Sequence, residues 1–164
     1  MTTFSCCFTG HRIIAREDTL PLLEDLRSIL KTFIEGGITR FIAGGAIGFD
    51  TLAAKEVLRL RETYPEVRLH LILPCRDQSK RWTAAQKLEY EQILSAADSH
   101  EFLFDTYVDG CMQMRNRAMV NESHVVLAYY TGRAGGTRQT ITYAREKNIR
   151  VLCLPIKEEN IWND

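Results

Sequence analysis

Residues 129–140 read YYTGRAGGTRQT, and their types suit an anion. Gly132, Gly135 and Gly136 let backbone N–H groups come close to a ligand. A helix starting here adds unpaired N–H donors and the positive end of its dipole. Thr137 contributes a hydroxyl, and Arg133 or Arg138 a fixed charge suited to phosphate. The stretch reads as a phosphate cradle; the plain alternative is a tight strand-to-helix turn. A second glycine loop, GGAIGFD at 44–50, holds Gly44, Gly45, Gly48 and Asp50. It lacks the GxGxxG spacing and follows the second apolar run instead of the first, which argues against an NAD dehydrogenase. No GxxxxGK[ST] is present, which excludes a P-loop NTPase. Asp50 suits either the cap of the next helix or a hydrogen bond to a ribose hydroxyl. A third loop offers Thr9, Gly10, His11 and Arg12, where His11 either touches ligand or holds the loop.

These loops need elements to carry them. FSCCFTG (4–10), ITRFIAGG (38–45), VRLHLILP (67–74), HEFLFD (100–105), HVVLAYY (124–130) and IRVLCLPI (149–156) read as strands. Between them, apolar residues recur at helical spacing. The first helix is expected to be capped by Thr19, with Pro21 in its first turn and Gly36-Gly37 as its stop. Residues 81–97, including Trp82, read as one helical face, and Trp82 reads as core in preference to a base-stacking platform. A helix at 110–123 carries Arg115, and one at 135–148 closes at Asn148 in a left-handed turn. About six strands separated by helices imply an α/β, doubly wound, mostly parallel sheet covered on both faces. Such sheets bind ligands at the carboxyl ends of their strands, and that is where all three loops fall. The tail, KEENIWND, is short and polar, and the whole of 1–164 reads as one domain.

Composition narrows the partners. Twenty-one basic and 21 acidic residues give zero formal net charge. That argues against a nucleic-acid or membrane-surface partner, which usually calls for a basic excess. The cysteines at 6, 7, 75, 111 and 153 form no CxxC pair and read as core thiols in a reducing compartment. His11, His70, His100 and His124 do not stand at zinc-ligand spacing with them, so no metal is expected; the last three read as structural. MTTFSCCFTG lacks the basic region and long apolar core of a signal peptide, and no apolar run reaches membrane-span length. A cytoplasmic location follows as the expectation.

TGHR after the first strand, GGAIGFD after the second, and MQMRNRAMVNESHVVLAYYTGRAGGTRQT near the end, in that order, resemble the SLOG superfamily. That group joins the Smf/DprA and Lonely Guy proteins, and the sequence is most similar to its YpsA-like branch, which is linked to bacterial cell division. The resemblance covers residues 4 to about 156. It implies a Rossmann-like fold and a pocket for a nucleotide or nucleotide-derived ligand, with no cofactor; it allows a homodimer. The Lonely Guy enzymes cleave the N-glycosidic bond of nucleoside monophosphates. Arg115 matches their helix arginine, and Gly136 and Thr137 match the Gly-Thr of their PGGxGTxxE signature. Thr140 stands where they carry the glutamate, and their proline is absent. A threonine cannot supply a carboxylate to an oxocarbenium-like centre. The resemblance therefore implies a binding protein, a sensor or regulatory module: Gly135, Gly136, Thr137, Arg133 and Arg115 hold phosphate, and Thr9, Gly10, Gly44, Gly45 and Asp50 line the ribose and base side. The rival is a phosphoribohydrolase-like enzyme in which Asp50, Glu122 or His11 replaces the glutamate. The third reading is a single-stranded nucleic-acid binder of the Smf/DprA kind, which zero net charge disfavours.

Overall fold

Six strands alternate with five helices in the computed structural model, which describes residues 3–156. The polar tail at 157–164 lies outside the described residues. In chain order the elements are β1 Phe4–Gly10, α1 Arg16–Glu35, β2 Ile38–Ala43, α2 Phe49–Thr63, β3 Arg68–Cys75, α3 Ala84–Ala96, β4 Ser99–Phe104, α4 Cys111–Asn121, β5 Val125–Tyr129, α5 Gly136–Glu146 and β6 Arg150–Leu154. The strands lie in the order β4-β3-β2-β1-β5-β6, and every pairing is parallel. The chain winds outward from β1 to β4, then returns to the other side of β1. The order thus reverses between β1 and β5, and a crevice opens at their carboxyl ends.

Two apolar layers hold the sheet. Leu22, Leu26 and Leu30 of α1, Ala53 and Val57 of α2 and Ile93 of α3 pack with Phe8, Phe41 and Leu71 on one face. Met119 and Val120 of α4 and Ala144 of α5 pack with Cys7, Ile42, Ile72 and Val126 on the other. Side chains alternate across a strand. Cys6 and Cys7 therefore point to opposite layers, and both are free thiols. Burial pushes the Cys7 thiol up to about 12, so it behaves as a small apolar group.

Several boundaries differ from the sequence reading. Helix α1 begins at Arg16, so Thr19 does not cap it; its Oγ1 donates to the Ala15 carbonyl, 3.1 Å away and four residues back. The helix starts without a side-chain cap, and Glu17 and Asp18 complement the dipole in its first turn. Pro21 consequently falls inside the helix instead of its first turn. Asp50 is not a cap either, because Gly48 is the N-cap residue of α2. Trp82 precedes α3, which begins with a reciprocal cap between Thr83 and Gln86. Its ring still packs on the core, edge to face with Tyr90 at 5.5 Å. Asn148 takes the expected left-handed conformation, φ 58°. Among the described residues no helix is long and apolar enough to cross a membrane.

Candidate ligand-binding cleft

A cleft of about 280 Å³ opens where the strand order reverses. Thr9, Gly10, His11 and Arg12 from the end of β1 line it, with Asp50, Arg115, Asn116 and the stretch Ala134–Thr137 that opens α5. The structure thus brings together nine of the residues read from sequence: Thr9, Gly10, His11, Arg12, Asp50, Arg115, Gly135, Gly136 and Thr137. No side chain caps the N-terminus of α5. Its first-turn N–H groups lie at the cleft wall, where a helix start favours negative charge.

Arg115 is the buried cation of the site, 4% exposed. Its Nε donates to Asn116 Oδ1 at 2.8 Å, its Nη1 donates to the Gly44 carbonyl, and its Nη2 finds only the Met112 thioether at 3.8 Å. Among the described residues it forms no ion pair. Burial lowers its pKa, and the field of Asp50 opposes that. Asp50 is buried too, and its Oδ2 accepts the Gly44 N–H at 3.2 Å. Burial raises its carboxyl above the ordinary 3.8; Arg115 and the backbone of Ala46 and Gly44 pull the other way.

The second glycine loop is packed differently from the loop that opens α5. A Cβ on Gly44 would stand 2.7 Å from Arg115 Nη1 and 2.9 Å from Asp50 Oδ2. A Cβ on Gly48, where φ is 82°, would stand 2.3 Å from the Arg12 carbonyl oxygen. Gly44 and Gly45 lie behind the cleft wall, and Gly48 lines a neighbouring depression with Arg12 and Lys55. These glycines allow close internal packing of the elements that present Arg115, Asp50 and Arg12. By contrast, a Cβ on Gly136 would come no nearer than 3.9 Å to any neighbour. Arg133 is exposed on the loop before α5 and outside the cleft lining, near enough to His11 to lower its pKa.

His11 stitches two loops together. Its Nε2 accepts the Thr131 N–H at 3.0 Å, and its carbonyl accepts the Phe49 N–H at 3.2 Å. The accepting nitrogen must be unprotonated. Burial, then the charge of Arg133, hold the pKa below 6.5. A depressed histidine pKa contributes stability that is present above 6.5 and lost as pH falls from there through the folded value. The unfolding midpoint should therefore drop between pH 7 and pH 5, and His11→Ala should flatten that drop. An equal drop in wild type and variant would show that His11 does not carry it.

Thr140 and Glu122 also fall outside the cleft lining. Thr140 lines a separate groove of about 410 Å³ between α4 and α5, and its Oγ1 donates to the Gly136 carbonyl at 2.7 Å. Glu122 sits past the C-terminal end of α4 with Arg40, away from the cleft. Met112 and Asn116 line the cleft without having been singled out. Met112 lies three residues before Arg115, so helical spacing places the two on one face.

Residues 16–152 match the sequence profile of the YspA SLOG family, named YpsA. The chain belongs to this SLOG family. The SPbeta prophage-derived protein YoqJ of Bacillus subtilis is 34% identical over 143 residues, covering 77% of this chain and 84% of that protein. A UPF0398 protein of Halalkalibacterium halodurans is 31% identical over 99 residues, 59% of this chain and 52% of that one. Among solved structures, DNA processing protein A (DprA) from Streptococcus pneumoniae superposes with a TM-score of 0.67 at 14% identity, covering 95% of this SLOG chain and 52% of that one. DprA from Helicobacter pylori, described for its single-stranded DNA binding mode, gives 0.66 at 17% identity, covering 96% and 67%. This SLOG chain therefore spans about half the length of the Halalkalibacterium and Streptococcus proteins. The likeness to both DprA structures establishes the fold: one parallel α/β sheet of the Rossmann-like kind.

Proposed function

We propose that residues 1–164 act as one cytoplasmic SLOG unit that binds a nucleotide or nucleotide-derived small molecule by its phosphate, as a sensor or regulatory module. The observation that carries this reading is Arg115: a buried guanidinium without an ion-pair partner among the described residues, in a cleft that it shares with the uncapped start of α5. A buried charge calls for a partner, and a phosphate supplies one with planar, bidentate geometry. Arg12 adds a second cation, and Asp50 offers a carboxylate to a ribose hydroxyl. The volume, about 280 Å³, stands near the lower end of the ~300–1,000 Å³ typical of small-molecule sites and suits a mononucleotide-sized ligand.

Cleavage of the glycosidic bond has little support from the side chains. Thr140 is outside the cleft lining with its hydroxyl donated to backbone, and Glu122 is remote. His11 Nε2 is occupied by the Thr131 N–H. Asp50 lines the cleft, but its Oδ2 is held by Gly44. Single-stranded DNA, which the Helicobacter relative is described as binding, is the rival ligand, and Arg12, Arg133 and Arg138 would be the residues to meet it. The test incubates the purified protein with AMP, and separately with a short oligonucleotide. Binding of AMP without release of adenine, followed by chromatography, is the expected result. Turnover of about one per second, within the ordinary enzyme range, would contradict it. Oligonucleotide binding that AMP fails to displace would favour the nucleic-acid reading.

A further inference from the structure

At the edge of the sheet away from the cleft, His70 of β3, Glu101 of β4 and Glu122 after α4 bring one ring nitrogen and two carboxylate oxygens within 4.8 Å of one another. We propose that these three side chains form a binding site for a divalent transition-metal ion of the zinc class, independent of the nucleotide cleft.

The sheet register builds the site. His70 pairs with Ser99 and Ile72 with Glu101. Paired residues of neighbouring strands share a face. His70, Ser99 and Glu101 therefore stand on the face where Ile72 packs with Met119 and Val120 of α4. That helix ends at Asn121, which brings Glu122 to the same corner.

The histidine is prepared to ligate. Its Nδ1 lies 2.6 Å from Ser99 Oγ, and its Nε2 lies 3.6 Å from Glu101 Oε1. With the Nδ1 proton donated to Ser99, the Nε2 lone pair faces the carboxylates. Metal-bound histidines generally use their second nitrogen in this way. The imidazole is largely buried, with 13% of its side chain exposed, whereas Glu101 and Glu122 keep 48% and 42%. One donor is thus fixed, and two can close in from solvent. To surround zinc at its usual 2.0–2.2 Å, the donor atoms need to approach to roughly 3.3 Å of one another, which rotation of the two glutamates supplies.

Charge points the same way. Two carboxylates side by side repel each other. Arg40 Nη2, 3.2 Å from Glu122 Oε1, offsets one of them. Glu101 faces the imidazole of His70, so with that ring neutral the group keeps a net negative charge that a divalent cation would balance. A mixed nitrogen and oxygen donor set suits zinc, manganese or iron(II), whereas calcium and magnesium take oxygen alone. Donors at positions 70, 101 and 122 have no short-range spacing, so a search for histidines spaced with cysteines does not find them. Such an ion would fasten the end of α4, the helix that carries Arg115, to β3 and β4.

The test titrates the metal-stripped full chain with Zn²⁺ by calorimetry and with Co²⁺ by absorption. One equivalent is expected, with a cobalt spectrum free of thiolate charge transfer. His70→Ala and Glu101→Gln should each abolish binding, Ser99→Ala should weaken it about 10- to 100-fold, and Arg40→Gln should tighten it. Because Glu101 is exposed, its variant keeps the test decisive even where His70→Ala misfolds. No binding of either metal, unchanged affinity in Glu101→Gln, or a thiolate band would overturn the proposal.

Discussion

Gly44→Ala should lower the thermal midpoint by up to roughly 6–12 °C and weaken AMP binding together with it. The added methyl has no room: it would meet the Arg115 guanidinium at 2.7 Å and the Asp50 carboxylate at 2.9 Å. Both groups end flexible side chains, but neither is free to retreat. Each is hydrogen-bonded to the backbone of Gly44 itself, Asp50 through the N–H and Arg115 through the carbonyl. Moving them breaks those bonds and leaves two buried charges with fewer partners. Overpacking of this kind costs up to about 3 kcal/mol. A chain of this size loses about 2–4 °C per kcal/mol, which gives the range above. Gly136→Ala is the contrasting case, since its nearest neighbour would be 3.9 Å away. Its midpoint should barely move. Thermal unfolding of both variants decides the matter, and equal midpoints would show that Gly44 does not hold Arg115 and Asp50 in place.

That interlock was not legible in the sequence. Gly44 and Arg115 are 71 residues apart, and nothing in GGAIGFD says that its first glycine makes room for a guanidinium on α4. The loop could be read as lining the ribose and base side of a ligand because glycine serves both close ligand approach and internal packing. That Gly135, Gly136 and Thr137 line the cleft could be read because glycines, a hydroxyl and a helix start all occur within three residues. The fold was legible for a similar reason. Apolar runs at β5 and β6 and helical spacing in α1 are local signals. Strand order is set by pairings across the chain. The start of α1 was misread because Thr19 resembles a cap, yet threonine inside a helix can also donate to the carbonyl four residues back, as it does here.

Arg115→Ala should weaken AMP binding about ten- to a hundredfold while leaving secondary structure in place. A hydrogen bond to a charged group contributes about 1.5–3 kcal/mol, and each 1.4 kcal/mol is a factor of ten in affinity. The buried setting favours the upper part of that range, because water screens little there. Removing the guanidinium also removes the field that opposes the burial of Asp50, so its carboxyl should titrate higher still. A residue on the surface would behave otherwise, since exposed ion pairs are worth about 0–1 kcal/mol. Circular dichroism and a calorimetric titration of the same preparation separate loss of binding from loss of fold.

The most direct measurement compares AMP with adenosine on the wild-type protein and on Arg115→Ala. The account predicts that the wild type binds AMP at least about tenfold more tightly than adenosine, as one charge-assisted contact would give. It also predicts that the preference collapses in the variant while the weaker binding of adenosine stays the same. Equal affinities for AMP and adenosine in the wild type, or a preference that survives the loss of Arg115, would contradict phosphate recognition at this cleft.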